Sequence, residues 1–137
     1  MNIAIINGPN LNLLGIREPD VYGNQTFEQY FEVLRVIYPQ CRFHYFQSNI
    51  EGELIDEIQR IGFTYNGIIF NPGGYTHTSV ALGDAIAAIT TPVVEVHISN
   101  IFGREEFRKL SHVSAKAKGV ISGLGLKGYA LAVSWFL

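Results

Sequence analysis

Arg17 and Tyr22 stand five residues apart in the stretch "NGPNLNLLGIREPDVYG" (7–23), behind a short apolar run. Tyrosine is a poor base at its reference pKa of about 10, but a neighbouring guanidinium favours the phenolate. If the segment folds back on itself, Arg17 can supply that charge to Tyr22. His97 ends the apolar run "VVEVHI" and, with a reference pKa of about 6.5, can act as a general acid. A tyrosinate base opposite an imidazolium acid suits removal of a proton beside a carbonyl and expulsion of a hydroxyl. Asparagines such as Asn10, directly or through a held water, can stabilise the enolate between those steps. Arg108 follows Arg104 by four residues, on one side of a helical turn. Ser99 and the neighbouring backbone N–H groups can hold a carboxylate. The chemistry these residues suggest is elimination on a small anion, by acid–base catalysis alone.

Such groups act only if the fold converges them, and the pattern shows how. "NIAIIN" (2–7), "RFHYFQS" (42–48), "GIIFN" (67–71), "VVEVHI" (93–98) and "GVISG" (119–123) read as five strands. Helical segments lie between them. Thr26 and Gln29 form a capping box ahead of Phe27, Tyr30, Phe31, Leu34 and Tyr38. Leu54, Ile55, Ile58 and Ile61 form a second helical face with Gly62 as its stop, and Leu82, Ala85, Ile86 and Ile89 a third. A short polar helix around 104–111 and a C-terminal helix complete the reading. Alternating strands and helices predict an α/β three-layer sandwich with a five-stranded parallel sheet. At 137 residues the flavodoxin-like order 2-1-3-4-5 is the natural choice, in a single domain spanning 1–137. Ligands bind beyond the carboxyl ends of such strands, at the switch point between the first and third. The loops there are the polar-rich ones: 8–24, 71–79 and 97–108.

Composition excludes several classes. A net charge of −2 gives no electrostatic support for nucleic acid. The one cysteine, Cys41, forms no internal disulfide, and no Cys/His spacing suggests a metal site. The chain shows no signal-peptide pattern, and its longest apolar run, "GYALAVSWFL", is too short to span a bilayer, so a cytoplasmic protein is expected. Asn7 and Asn71 stand where a phosphoreceiver needs acids. "GLGLKG" (123–128) matches a dinucleotide fingerprint, but a lone match is weak and a tight turn with close helix–strand packing is the preferred reading. Of four lysines, only Lys127 directly follows a strand, which disfavours an imine intermediate. His44 and His112 read as structural or solvated, and Asn7 as a satisfier of turn backbone. Glu95, between valines in a buried strand, needs a partner. Two other readings stay open: a non-catalytic small-anion binder using the same loops, and a scaffold that associates through its C-terminal helix.

"NGPNLNLLGIREPDVYG", "NPGGYTHTSVAL", "EVHISN", "REEFR" and "GVISGLGLKGYALAV" together resemble type II 3-dehydroquinate dehydratase, in order and spacing, along essentially the whole chain. The resemblance implies anti elimination of water from 3-dehydroquinate to 3-dehydroshikimate through an enolate, in the shikimate pathway, without metal, imine or other cofactor. It implies a homododecamer of trimers. By motif position, Tyr22 is the proton acceptor, Arg17 the residue that lowers its pKa and stabilises the transition state, and His97 the proton donor. Asn10 places the enolate-stabilising water. Asn71, His77, Ile98, Ser99 and Arg108 bind substrate, Asp84 reaches a neighbouring protomer's site, and Glu95 supports His97. Segment 8–24 is then a lid. Phe102 and Gly103 depart from the His or Tyr then Ala usual in the family, and Gly83 stands where many relatives carry a larger residue.

Overall fold

The computed structural model describes residues 1–20 and 23–137, so Tyr22 lies outside the described residues. Five strands, β1 (Asn2–Asn7), β2 (Arg42–Gln47), β3 (Gly67–Asn71), β4 (Val93–His97) and β5 (Gly119–Ser122), pair in parallel in the order β2-β1-β3-β4-β5. The expected order is therefore the observed one, and three strands end one residue earlier than expected. Four helices cover the sheet: α1 (Phe27–Ile37), α2 (Glu51–Ile61), α3 (Val80–Ala88) and α4 (Lys127–Phe136).

Strand alternation divides the core into two layers. Ile3 and Ile5 face Phe27 and Leu34 of α1 with Tyr129, Ala132 and Val133 of α4. Ala4 and Ile6 face Leu54, Ile58 and Ile61 of α2 with Leu82, Ala85 and Ile86 of α3. The capping box forms as expected: Thr26 Oγ1 accepts from the Gln29 N–H (3.2 Å) and Gln29 Oε1 from the Thr26 N–H (3.0 Å).

One local reading changes, the polar helix around 104–111, and two others gain their physical reason. Gly62 ends α2 in a right-handed conformation, not the left-handed one of a typical glycine stop. Glycine is needed there because a Cβ would lie 2.3 Å from Ile89 Cγ2 and 2.6 Å from the Ile58 carbonyl oxygen. The polar helix around 104–111 is a 3-10 turn over Glu106–Lys109, because Arg104 is extended and breaks any longer helix. In "GLGLKG", Gly123 and Gly125 have φ of +89° and +65°, and a Cβ on Gly128 would touch Ile121 and Val96 at 3.3 Å. That is the tight turn with close packing, built for structure. Among the described residues no helix is long and apolar enough to cross a membrane.

Candidate active site

A cavity of about 120 Å³ opens over the carboxyl ends of β1, β3 and β4. After β1 it is lined by Pro9, Asn10, Leu11 and Arg17, and after β3 by Asn71, Gly73, Gly74 and His77. The segment from the end of β4 supplies His97, Ile98 and Ser99, then Ile101, Arg104 and Arg108. Eight of the ten site residues read from the sequence thus line one cavity: Asn10, Arg17, Asn71, His77, His97, Ile98, Ser99 and Arg108. Asp84 does not line it and stands exposed on α3. Arg104, which the sequence reading set beside Arg108 at the loop ends without giving it a catalytic role, lines the cavity as well.

The loop after β1 is held down where it begins. Leu11 and Leu14 are buried in the α1/α4 layer, so the anchored part of the 8–24 segment reaches Leu14. Asn10 is left-handed (φ 70°), a conformation asparagine tolerates better than most residues, and its N–H donates to Asn49 Oδ1 at 3.0 Å. Gly8 lets this loop lie against the one after β3: a Cβ there would come 2.5 Å from the Pro72 carbonyl oxygen.

Beneath the cavity, the buried Tyr129 phenol ties the two central strand ends together. Its hydroxyl donates to Asn7 Oδ1 (2.8 Å) and accepts from Asn71 Nδ2 (2.9 Å). Asn71 Oδ1 accepts from the Gly73 N–H (3.1 Å), so both ends of that amide are assigned. Asn7 serves this floor and not a turn backbone, which corrects the sequence reading. Burial pushes the Tyr129 phenol well up, so it stays neutral as both donor and acceptor. Burial likewise pushes Tyr45 up to about 12, partly offset by the Asn7 side chain. Replacing Tyr129 by Phe strands the Asn7 carbonyl and the Asn71 N–H, each a buried group costing about 1–3 kcal/mol when unpaired. The expected result is a lower urea midpoint at unchanged m.

His97, 5% exposed, gives its Nε2–H to Glu95 Oε2, and Glu95 is wholly buried. Burial alone would push the Glu95 carboxyl up, but His97, Ser114 and Thr76 outweigh it and hold it below its ordinary range. The partner that Glu95 required is thus His97 itself, joined by two hydroxyls from Thr76 (2.7 Å) and Ser114 (2.6 Å). Neither hydroxyl was recognised from the sequence, where nothing links position 76 or 114 to position 95.

His77 stacks 6.4 Å from His97 and donates Nδ1–H to the Leu110 carbonyl (2.7 Å). Burial pushes its pKa down, and the Leu110 carbonyl only partly offsets this, so the ring is held neutral with Nε2 as its acceptor. Arg104 donates to Ser99 Oγ (3.2 Å), Arg108 pairs with Glu105 and lies 5.0 Å over the Phe107 ring, and Arg17 contacts Glu18 at 3.0 Å. Three guanidiniums and no carboxylate are among the residues lining the cavity, which therefore suits an anion. No lysine lines it. His44 is structural, its Nε2 2.9 Å from Glu57.

The family model described as dehydroquinase class II matches residues 1–137. The chain belongs to the class II dehydroquinase family. Among its relatives, the 3-dehydroquinate dehydratase of Aliarcobacter butzleri is 50% identical over 135 residues, covering 97% of this chain and 82% of that one. That of Bacillus licheniformis is 50% identical over 140 residues, covering 99% and 95%. The crystal structure of type II dehydroquinase from Butyrivibrio crossotus superposes with a TM-score of 0.95 at 44% identity, covering 99% of this chain and 97% of that one. The five-stranded sheet of this class II dehydroquinase, in its flavodoxin-like order, is therefore the one found in solved members of the family.

Proposed function

We propose that this class II dehydroquinase eliminates water from 3-dehydroquinate to give 3-dehydroshikimate, as a hydro-lyase of the shikimate pathway, and that residues 1–137 act as one catalytic domain. The observation that carries the reading is the pairing of His97 with a buried carboxylate at the edge of a cavity whose charged lining is guanidinium. The substrate is a β-hydroxy ketone bearing a carboxylate. Tyr22, as phenolate, takes the proton from the carbon between the ketone and the hydroxyl-bearing carbon. The bond's electrons move onto the ketone oxygen as an enolate, which a water held by Asn10 stabilises. The enolate then collapses to the enone as the hydroxyl leaves, protonated by His97, and the product is enone plus water. The proton taken by Tyr22 and the one lost by His97 balance through solvent.

Arg17 keeps the Tyr22 phenol ionised and offsets charge in the transition state. The backbone of Ile98 and Ser99 grips the carboxylate, and Asn71, His77 and Arg108 position the ring hydroxyls. We place the hinge of the lid at Gly15, whose φ of +90° favours glycine, beyond the anchored Leu14. Asp84, exposed on α3, would act on a neighbouring protomer's site in a dodecamer of trimers, tested by mass in solution. No metal or organic cofactor is assigned a step.

The test is turnover. Purified protein with 3-dehydroquinate should build up the enone absorbance of the product, and borohydride added with substrate should leave the enzyme active. Binding without turnover would support the small-anion binder instead. Inactivation by borohydride would overturn the imine-free mechanism and direct attention to Lys127.

A further inference from the structure

Glu95 carries more hydrogen bonds than the orientation of one imidazole requires, and their directions are fixed. Ser111 Oγ accepts from the N–H groups of Val113 (3.1 Å) and Ser114 (3.0 Å), so its proton goes to Thr76 Oγ1, 2.7 Å away. Thr76 then spends its own proton on Glu95 Oε2 (2.7 Å), the oxygen that also takes His97. Glu95 Oε1 depends on Ser114 Oγ alone among the bonds described, at 2.6 Å. Every hydroxyl in the group therefore directs a proton inward, which favours the ionised carboxylate.

Ser111 and Ser114 belong to the segment between Lys109 and β5, which is seated directly on α3. A Cβ on Gly83 would come 2.2 Å from the His112 carbonyl oxygen, while the His112 N–H donates to the Thr76 carbonyl (2.8 Å). Any larger residue at position 83 must displace the segment that carries Ser114.

We propose that Ser114, with Thr76, is a positioning residue for the elimination, acting through Glu95 on the His97 ring, and that Gly83 is what allows Ser114 to reach Glu95. This rests on the proposed activity, in which His97 is the acid. Without Ser114, Oε1 becomes a buried carboxylate oxygen with no donor, free to rotate out of line with the imidazole. The charged and titratable groups facing His97 are Glu95 on its own strand, His77 after β3, Arg17 after β1, and Arg104 and Arg108 beyond β4. Loss of Ser114 alters only the first of these. A carboxylate short of one donor holds the imidazolium proton more tightly, so the titration of the His97–Glu95 pair moves up.

The experiment compares the full chain with Ser114→Ala, Ser114→Thr, Thr76→Val, Gly83→Ala and the Gly83→Ala/Ser114→Ala double variant, by kinetics across pH and by NMR titration of the His97 imidazole. Ser114→Ala should lower kcat roughly tenfold with KM within about twofold, the scale of a lost hydrogen bond to a charged group. It should raise the titration of the pair by about half a unit or more, and Ser114→Thr should restore both. Thr76→Val should move the titration the same way. Gly83→Ala should reproduce Ser114→Ala, and the double variant should be no worse than either. A wild-type chain that turns nothing over refutes the proposed activity, whereas an unmoved His97 titration in Ser114→Ala refutes the positioning role. Additive losses in the double variant refute the part assigned to Gly83.

Discussion

His97→Asn is expected to lower kcat on 3-dehydroquinate by about 10²–10⁴-fold, the range a positioned general acid contributes. KM should change far less, because the guanidiniums of Arg17, Arg104 and Arg108 still line the cavity. Asparagine is the informative replacement because it keeps a donor beside Glu95. Alanine leaves a wholly buried carboxylate with only the Thr76 and Ser114 hydroxyls, so a loss of activity could be a loss of fold. Single-turnover kinetics and a thermal melt on the same sample separate the two. A His97→Asn enzyme within threefold of wild-type kcat would remove His97 from the role of acid.

Tyr22→Phe should be as damaging, with a loss of about 10²–10⁴-fold in kcat, because phenylalanine has no group to take the proton. The partner experiment is Arg17→Ala. A phenol with a reference pKa of about 10 is ionised to only about 0.1% at pH 7, and an adjacent guanidinium lowers that pKa by about 1–3 units. Removing Arg17 should therefore move the ascending limb of the rate profile up by about 1–3 units, with activity recovering as pH approaches 10. Tyr22→Phe should show no such recovery. The signature is a rescue by pH that one variant shows and the other lacks. Equal, pH-independent losses in both would separate Arg17 from the ionisation of Tyr22.

The sheet was legible because its central strands β1, β3 and β4 are short buried apolar runs, and five strand-like segments separated by helical periods leave few topologies open. The strand-end rule then picked out three loops, and eight of the nine site residues that lie on them share one cavity. What escaped the sequence was the support beneath that cavity. Tyr129 sits in "GYALAVSWFL", which reads as an apolar helix face, and nothing local shows that its hydroxyl serves Asn7, 122 residues away. Thr76, Ser111 and Ser114 are ordinary loop hydroxyls until the fold brings them to Glu95. That Gly62 stops its helix was legible, but not that the space taken by Ile89 is what requires glycine there. In each case the decisive partner is distant in sequence, where periodicity carries no information.

The Tyr129 bridge also orders events on the ribosome. The two strand ends that form the pocket floor emerge early, yet the hydroxyl that neutralises them belongs to a helix synthesised after every strand. A nascent chain stalled short of that helix would leave two amides without their shared partner and one face of the sheet without part of its cover. Because Tyr129, Ala132 and Val133 of that helix also fill the core beneath β1, pocket floor and fold stability should be lost together when it is missing.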